Sequence, residues 1–212
     1  MNSGYYVNMP KWRYPFCILR HPFDGYQEMK NNKKYSMRTA NVILGCWVLL
    51  AILNWGYIDF DFKTKFQEVS LVQVLITTIL IFSMVVLSNW CFCTLMDGKG
   101  RLHEIWICSA YALLPYTLCG YIRFILSFLF VYDEAFFLSY LMIIAVIWSF
   151  FLFLLGLSVL HDYSLKKTIS SFLLTVFGVL IMIFFIVLIS GLLVQIYGFF
   201  VTIYSEISYR ML

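Results

Sequence analysis

The side chains with the most chemistry to offer are three histidines, each with an aspartate close in sequence: His21 with Asp24, His103 with Asp97, and His161 beside Asp162. Imidazole and carboxylate together can ligate a metal or relay a proton, one as a neutral nitrogen donor or base and the other as its charged partner. Either role requires convergence in space, and the three pairs lie in three separate polar stretches. A structural reading competes with it: Asp97-Gly98-Lys99-Gly100 has the composition of a tight turn, and Asp162 or Ser164 is placed to cap a following helix. His21, Asp24, Asp97, Gly98, Lys99, His103, His161 and Asp162 therefore stand as candidate interaction residues, with the cross-linking of loops favoured over metal, cofactor or catalytic use. No Walker loop, His-Glu-x-x-His or Gly-x-Ser-x-Gly occurs, so the expectation is a protein that is not an enzyme. Nothing in the pattern suggests nucleic acid as a partner.

A second set of polar residues lies inside apolar blocks. Arg123 is the one charge at depth, with Gln73 and Asn54 expected at similar depth on neighbouring spans and Pro115 expected to kink its own span. An intramembrane polar cluster of this kind is a transport hypothesis, while snorkelling of Arg123, or its pairing with Asp133 or Glu134, is the structural alternative.

The elements that must position these residues are membrane spans. Of the 212 residues 62% are hydrophobic and only 12% charged, about half the charged share of a soluble domain. Blocks of about 20 apolar residues suffice to cross the hydrocarbon core, and five qualify: 39–57, 69–93, 105–131, 135–160 and 165–193. The fold expected is all-α, a polytopic helix bundle of about five transmembrane helices. Ahead of it, His21-Pro22 opens an amphipathic interfacial helix, with Pro at a favourable first position and Lys30, Lys33 and Lys34 near its end. Residues 1–38 form a basic segment with no cleavable secretory signal, 39–204 the membrane domain, and 205–212 a tail. The fifth apolar block continues to Tyr204, and Gly191 and Gly198 suggest a bend after which the chain lies along the interface or against a partner. On that block Ser171, Thr175 and Gly178 share a face suited to close helix packing. The six cysteines accompany apolar blocks, which argues for small apolar filling and against a disulfide framework.

Eleven of the fifteen Lys and Arg fall in the N-terminal segment and in the second and fourth connections. Basic residues are retained on the inner side, so the N-terminus is expected in the cytoplasm and, after five spans, the C-terminus outside the plasma membrane. Trp55, Trp90 and Trp106 lie where interfacial anchors belong.

Certain motifs carry a resemblance: His21-Pro22-Phe23-Asp24-Gly25-Tyr26, Asn89-Trp90 leading to Thr94-Leu95-Met96-Asp97-Gly98-Lys99-Gly100, Tyr111-Ala112-Leu113-Leu114-Pro115, and His161-Asp162-Tyr163-Ser164. Over residues 20–205 the chain resembles the Yip domain proteins, the Ypt/Rab-GTPase-interacting class of five-span membrane proteins, in their bacterial branch. The resemblance implies five spans with the N-terminus cytoplasmic. It also implies an accessory role beside an ABC permease for carbohydrate uptake and its ATPase, since bacterial relatives tend to be encoded next to such systems. The chain departs from the eukaryotic members in lacking their long cytosolic N-terminal region, which weakens the expectation of GTPase binding and vesicle trafficking. A non-catalytic transport accessory is the lead. A small transporter or channel, or a membrane-shaping or trafficking protein of the Yip type, is the alternative, and the lipid bilayer is a partner in every case.

Overall fold

The computed structural model describes residues 10–32, 35–57, 70–130 and 135–211. The connections holding Lys33 and Lys34, Lys63 and Lys65, and Asp133 and Glu134 lie outside these residues. Eight α-helices follow a 3-10 turn at Lys11–Arg13 among the described residues: α1 (Tyr14–Arg20), α2 (Pro22–Asn32), α3 (Met37–Tyr57), α4 (Leu71–Leu95), α5 (Leu102–Ala112), α6 (Leu114–Leu126), α7 (Ala135–His161) and α8 (Leu165–Met211). Five units are long and apolar enough to cross a membrane, namely α3, α4, the α5–α6 pair, α7 and α8. The chain is a multi-pass membrane protein.

Local chemistry sets the boundaries. Ser70 and Gln73 form a reciprocal capping box at the start of α4, with Gln73 N–H donating to Ser70 Oγ at 3.2 Å and Ser70 N–H to Gln73 Oε1 at 2.8 Å. Such caps contribute about 1 kcal/mol. The third span is broken where a kink was expected. Pro115 has no N–H to offer and sits in the first turn of α6, separated from α5 by Leu113. The break leaves Tyr116 N–H without a helical acceptor, and Ser149 Oγ of α7 accepts it at 3.1 Å.

One expectation is corrected. The last helix is not broken at Gly191 or Gly198: α8 is continuous over 47 residues, about 70 Å at 1.5 Å per residue. Both glycines have open space around them, so no packing forces a kink, and the apolar run around them is uninterrupted. Residues 205–211 extend this helix. The short helix α1 was not anticipated. Its signal is Pro15 in the first turn, with Tyr14, Cys17 and Ile18 buried at helical spacing.

The interfacial helix α2 starts at Pro22 as expected, and it also joins the protein core. Tyr26 and Met29 are each 1% exposed, and the Tyr26 ring lies where a Cβ on Gly156 of α7 would meet it at 3.0 Å. The core itself lies between α2, α3, α5 and α7, with α5 the most enclosed span: Ile105, Ile107, Cys108, Ala110 and Tyr111 are all buried.

Candidate functional site: a clasped loop cluster at one end of the bundle

Helices α4 and α7 end in the same way. Asp97 and Asp162 have φ of 59° and 58°, the left-handed conformation that ends many helices and is usually left to Gly or Asn. One residue further on, Gly98 N–H returns to Cys93 O at 2.7 Å and Tyr163 N–H to Ser158 O at 3.0 Å. This six-to-one closure satisfies carbonyls that a helix end leaves open.

The two ends then fasten to each other. Tyr163 Oη donates toward Cys93 O and Met96 O, each at 3.2 Å, so the α7–α8 loop caps the end of α4. Gly100 N–H donates to His161 Nδ1 at 3.3 Å, and the His161 ring stacks on Tyr163 with centroids 5.2 Å apart. The glycines are needed because these rings lie directly on the 98–100 loop. A Cβ on Gly98 would stand 2.6 Å from His161 Nδ1 and 2.7 Å from both Cys93 O and Tyr163 Oη, and one on Gly100 2.7 Å from His161 Cε1.

Asp162 is the electrostatic centre. Lys30, at the end of α2, pairs with its Oδ1 and donates to Val159 O at 3.0 Å. Lys99 reaches its Oδ2 at 3.3 Å. Hydrogen bonding from Lys30 and then Lys99 holds the carboxyl below the usual carboxylate range. Burial pushes the Tyr163 phenol up to about 12, which keeps it a hydrogen-bond donor at neutral pH. Lys167 lies over the Tyr163 ring at 4.5 Å. Three separate segments are thereby clasped around two glycines, a histidine and an aspartate.

The structure thus brings together Gly98, Lys99, His161 and Asp162, and adds Lys30 and Tyr163. Asp97 shapes the turn with its backbone. His103 belongs to a neighbouring group, with its Nε2 3.2 Å from Tyr35 Oη, which also donates to Glu104 Oε1 at 3.3 Å. His21 is exposed and Asp24 half-buried, and neither shares a hydrogen bond or ion pair with the cluster among the described residues. Among those residues no three His, Cys, Asp or Glu side chains are grouped to hold a metal. Asp162, considered as a helix cap, serves as the bridge between two lysines.

These loops carry the motifs on which the resemblance rested, and the Yip1 domain profile matches residues 16–189, which takes in the whole cluster. The chain belongs to the Yip1 domain family. No curated protein and no solved structure is significantly similar to it.

Within this Yip1 domain a buried polar seam joins α4 to α8. Ser88 Oγ donates to Thr175 O at 2.7 Å, Asn89 Nδ2 to Thr175 Oγ1 at 3.0 Å, and the Cys93 thiol lies 3.0 Å from Ser171 Oγ. At Gly178 a Cβ would meet Phe92 and Ser88 at 2.3 Å, so the small face of Ser171, Thr175 and Gly178 packs within the chain. The intramembrane candidates do not form such a network. Gln73 caps α4, the Asn54 carbonyl is buried without a partner, and Arg123 makes no ion pair among the described residues. Pro115 breaks the third span. Sequence reasoning missed Lys30, Tyr163 and Tyr35 as members of these groups. Tyr163 follows His161-Asp162 directly, and its signal was that an aromatic hydroxyl in a loop between two spans needs an acceptor.

Proposed function

We propose that this Yip1 domain protein is a non-catalytic accessory subunit of a membrane transport complex, of the kind formed by a carbohydrate ABC permease and its ATPase. One observation carries the reading. Every residue of α8 from Ile183 to Tyr204 is exposed, and the helix is about 70 Å long where the hydrocarbon core is about 30 Å. Lipid covers one thickness of apolar helix and no more, so the remainder calls for an apolar surface on another membrane protein. The loop cluster supports the same reading, since it is cross-linked by hydrogen bonds and ion pairs and carries Lys99 and Asp162 at its surface. In this proposal the cluster faces the cytoplasm, where a permease meets its ATPase, and the plasma membrane is the location.

The test is a photo-crosslinking residue at Leu193 or Tyr197 in native membranes, with the adduct identified. Adducts to a permease subunit at both positions are the expected result. Adducts to lipid alone at both positions would overturn the proposal. A membrane-shaping role is the second reading, favoured by Trp12, Phe16 and Phe23, which are 58%, 52% and 56% exposed on the N-terminal helices. It predicts that the purified protein tubulates or constricts vesicles without any partner.

A further inference from the structure

Between α1, the first turns of α3, and α6 runs an apolar groove of about 400 Å³, inside the range of ~300–1,000 Å³ typical of small-molecule sites. Trp12 and Phe16 form one wall, Val42 and Cys46 of α3 the second, and Leu118 and Tyr121 of α6 the third. Val42 and Cys46 lie one turn apart on a single face of α3, so the groove follows that helix. Tyr121 contributes no free polar group, because its hydroxyl donates to Cys46 O at 2.7 Å.

Both α3 and α6 belong to membrane-spanning units. The medium at the groove is therefore lipid, and the molecules at hand to fill it are acyl chains. Two arginines neighbour its lining residues in sequence. Arg38 precedes Val42 by one helical turn on the same face, and the Arg13 guanidinium lies 4.8 Å from the centre of the Trp12 ring. No Asp or Glu occurs before Asp24. An apolar slot with Arg13 beside the Trp12 wall and Arg38 one turn before the Val42 wall is complementary to a negatively charged headgroup on a hydrocarbon tail.

We propose that this groove holds one acyl chain of an anionic phospholipid, whose phosphate pairs with Arg13 and Arg38. The bound lipid then completes the seam between α1 and the bundle, making the N-terminal helices responsive to the charge of the surrounding leaflet.

Native mass spectrometry tests this on the full chain, extracted in mild detergent from membranes holding equal phosphatidylglycerol and phosphatidylethanolamine. The wild-type protein is expected to retain one phospholipid, with phosphatidylglycerol favoured about ten-fold. Val42→Trp fills the slot and removes retention of either lipid. Arg13→Ala with Arg38→Ala keeps the slot and loses the preference. A thermal melt accompanies each variant; should Val42→Trp fold poorly, the arginine pair decides alone. Absence of retained lipid in the wild type, equal retention of the two lipids, or an unchanged preference in the arginine variant would overturn the proposal.

Discussion

Replacing Gly98 by Ala places one methyl group at the centre of the clasp. Ordinary contact begins near 3.4 Å, whereas the new Cβ would lie 2.6 Å from His161 Nδ1 and 2.7 Å from both Cys93 O and Tyr163 Oη. It is thus 0.7 to 0.8 Å too close to three atoms, by subtraction of those distances. Cys93 O is backbone at the end of α4 and cannot swing aside. The histidine and tyrosine can yield only by giving up their bonds to Gly100 N–H and to the α4 carbonyls. Overpacking of this kind costs about 1–3 kcal/mol, and each displaced hydrogen bond adds about 1 kcal/mol, for a total of roughly 2–4 kcal/mol. At about 2–4 °C per kcal/mol for a chain of this size, the melting temperature in mild detergent should fall by about 5–15 °C. Gly45→Ala is the control, since nothing lies within 4 Å of its Cβ position in α3; it should be neutral or stabilising by up to about 1 kcal/mol. If Gly98→Ala melted with the parent chain, the contact between the two loops would be wrong.

Three further outcomes follow from the same geometry. Because the folded-state carboxyl of Asp162 is depressed, its contribution is full above the unfolded value of about 3.9 and is lost as pH falls through the lower folded value. The stability gap between wild type and Asp162→Asn, under about 1 kcal/mol for so exposed a pair, should hold near neutral pH and close on acidification; a gap that widens in acid would contradict the pairing. A double-mutant cycle of Asn89→Ala and Thr175→Val should give a coupling of about 0.6 kcal/mol, up to roughly 2 kcal/mol, from denaturation in mixed micelles, and zero coupling would remove the buried seam. Deleting residues 191–212 should leave the melting temperature of the isolated protein unchanged, since residues 191–204 of α8 are exposed among the described residues; a clear drop would show that the stretch packs on the chain.

Much of this architecture was legible in the sequence because membranes impose one dominant rule. A bilayer demands apolar runs of set length, so α3, α4, α7 and the start of α8 appear within a few residues of their structural limits. Pro115 announced its break for an equally local reason, the missing donor. The course of α8 was harder to read. Glycine permits a bend without requiring one, and only the absence of packing around Gly191 and Gly198 shows that none is imposed.

The site was legible in composition and not in connectivity. Asp97-Gly98 reads as a turn from its residue types, yet that Tyr163 would close the end of α4 depends on how α4 and α7 sit side by side, which no spacing encodes. The pairing of Asp162 was hidden for the same reason. A cap by Asp162 or Ser164 is a local reading, whereas Lys30, which pairs with the Asp162 carboxylate, is 132 positions away in sequence. Gln73 erred in the opposite direction, since a local cap with Ser70 claimed a side chain assigned to a membrane-depth cluster.

The central claim is that α2, the 96–101 loop and the 161–164 loop meet at one end of the bundle, on one side of the membrane. Its most direct test is labelling by an impermeant thiol reagent of Gln27→Cys, Lys99→Cys and Lys166→Cys, each in the full chain in sealed membranes and read against the parent protein. All three should react from the same side, with Trp55→Cys reacting from the other. Reaction of Lys99→Cys and Lys166→Cys from opposite sides would contradict it.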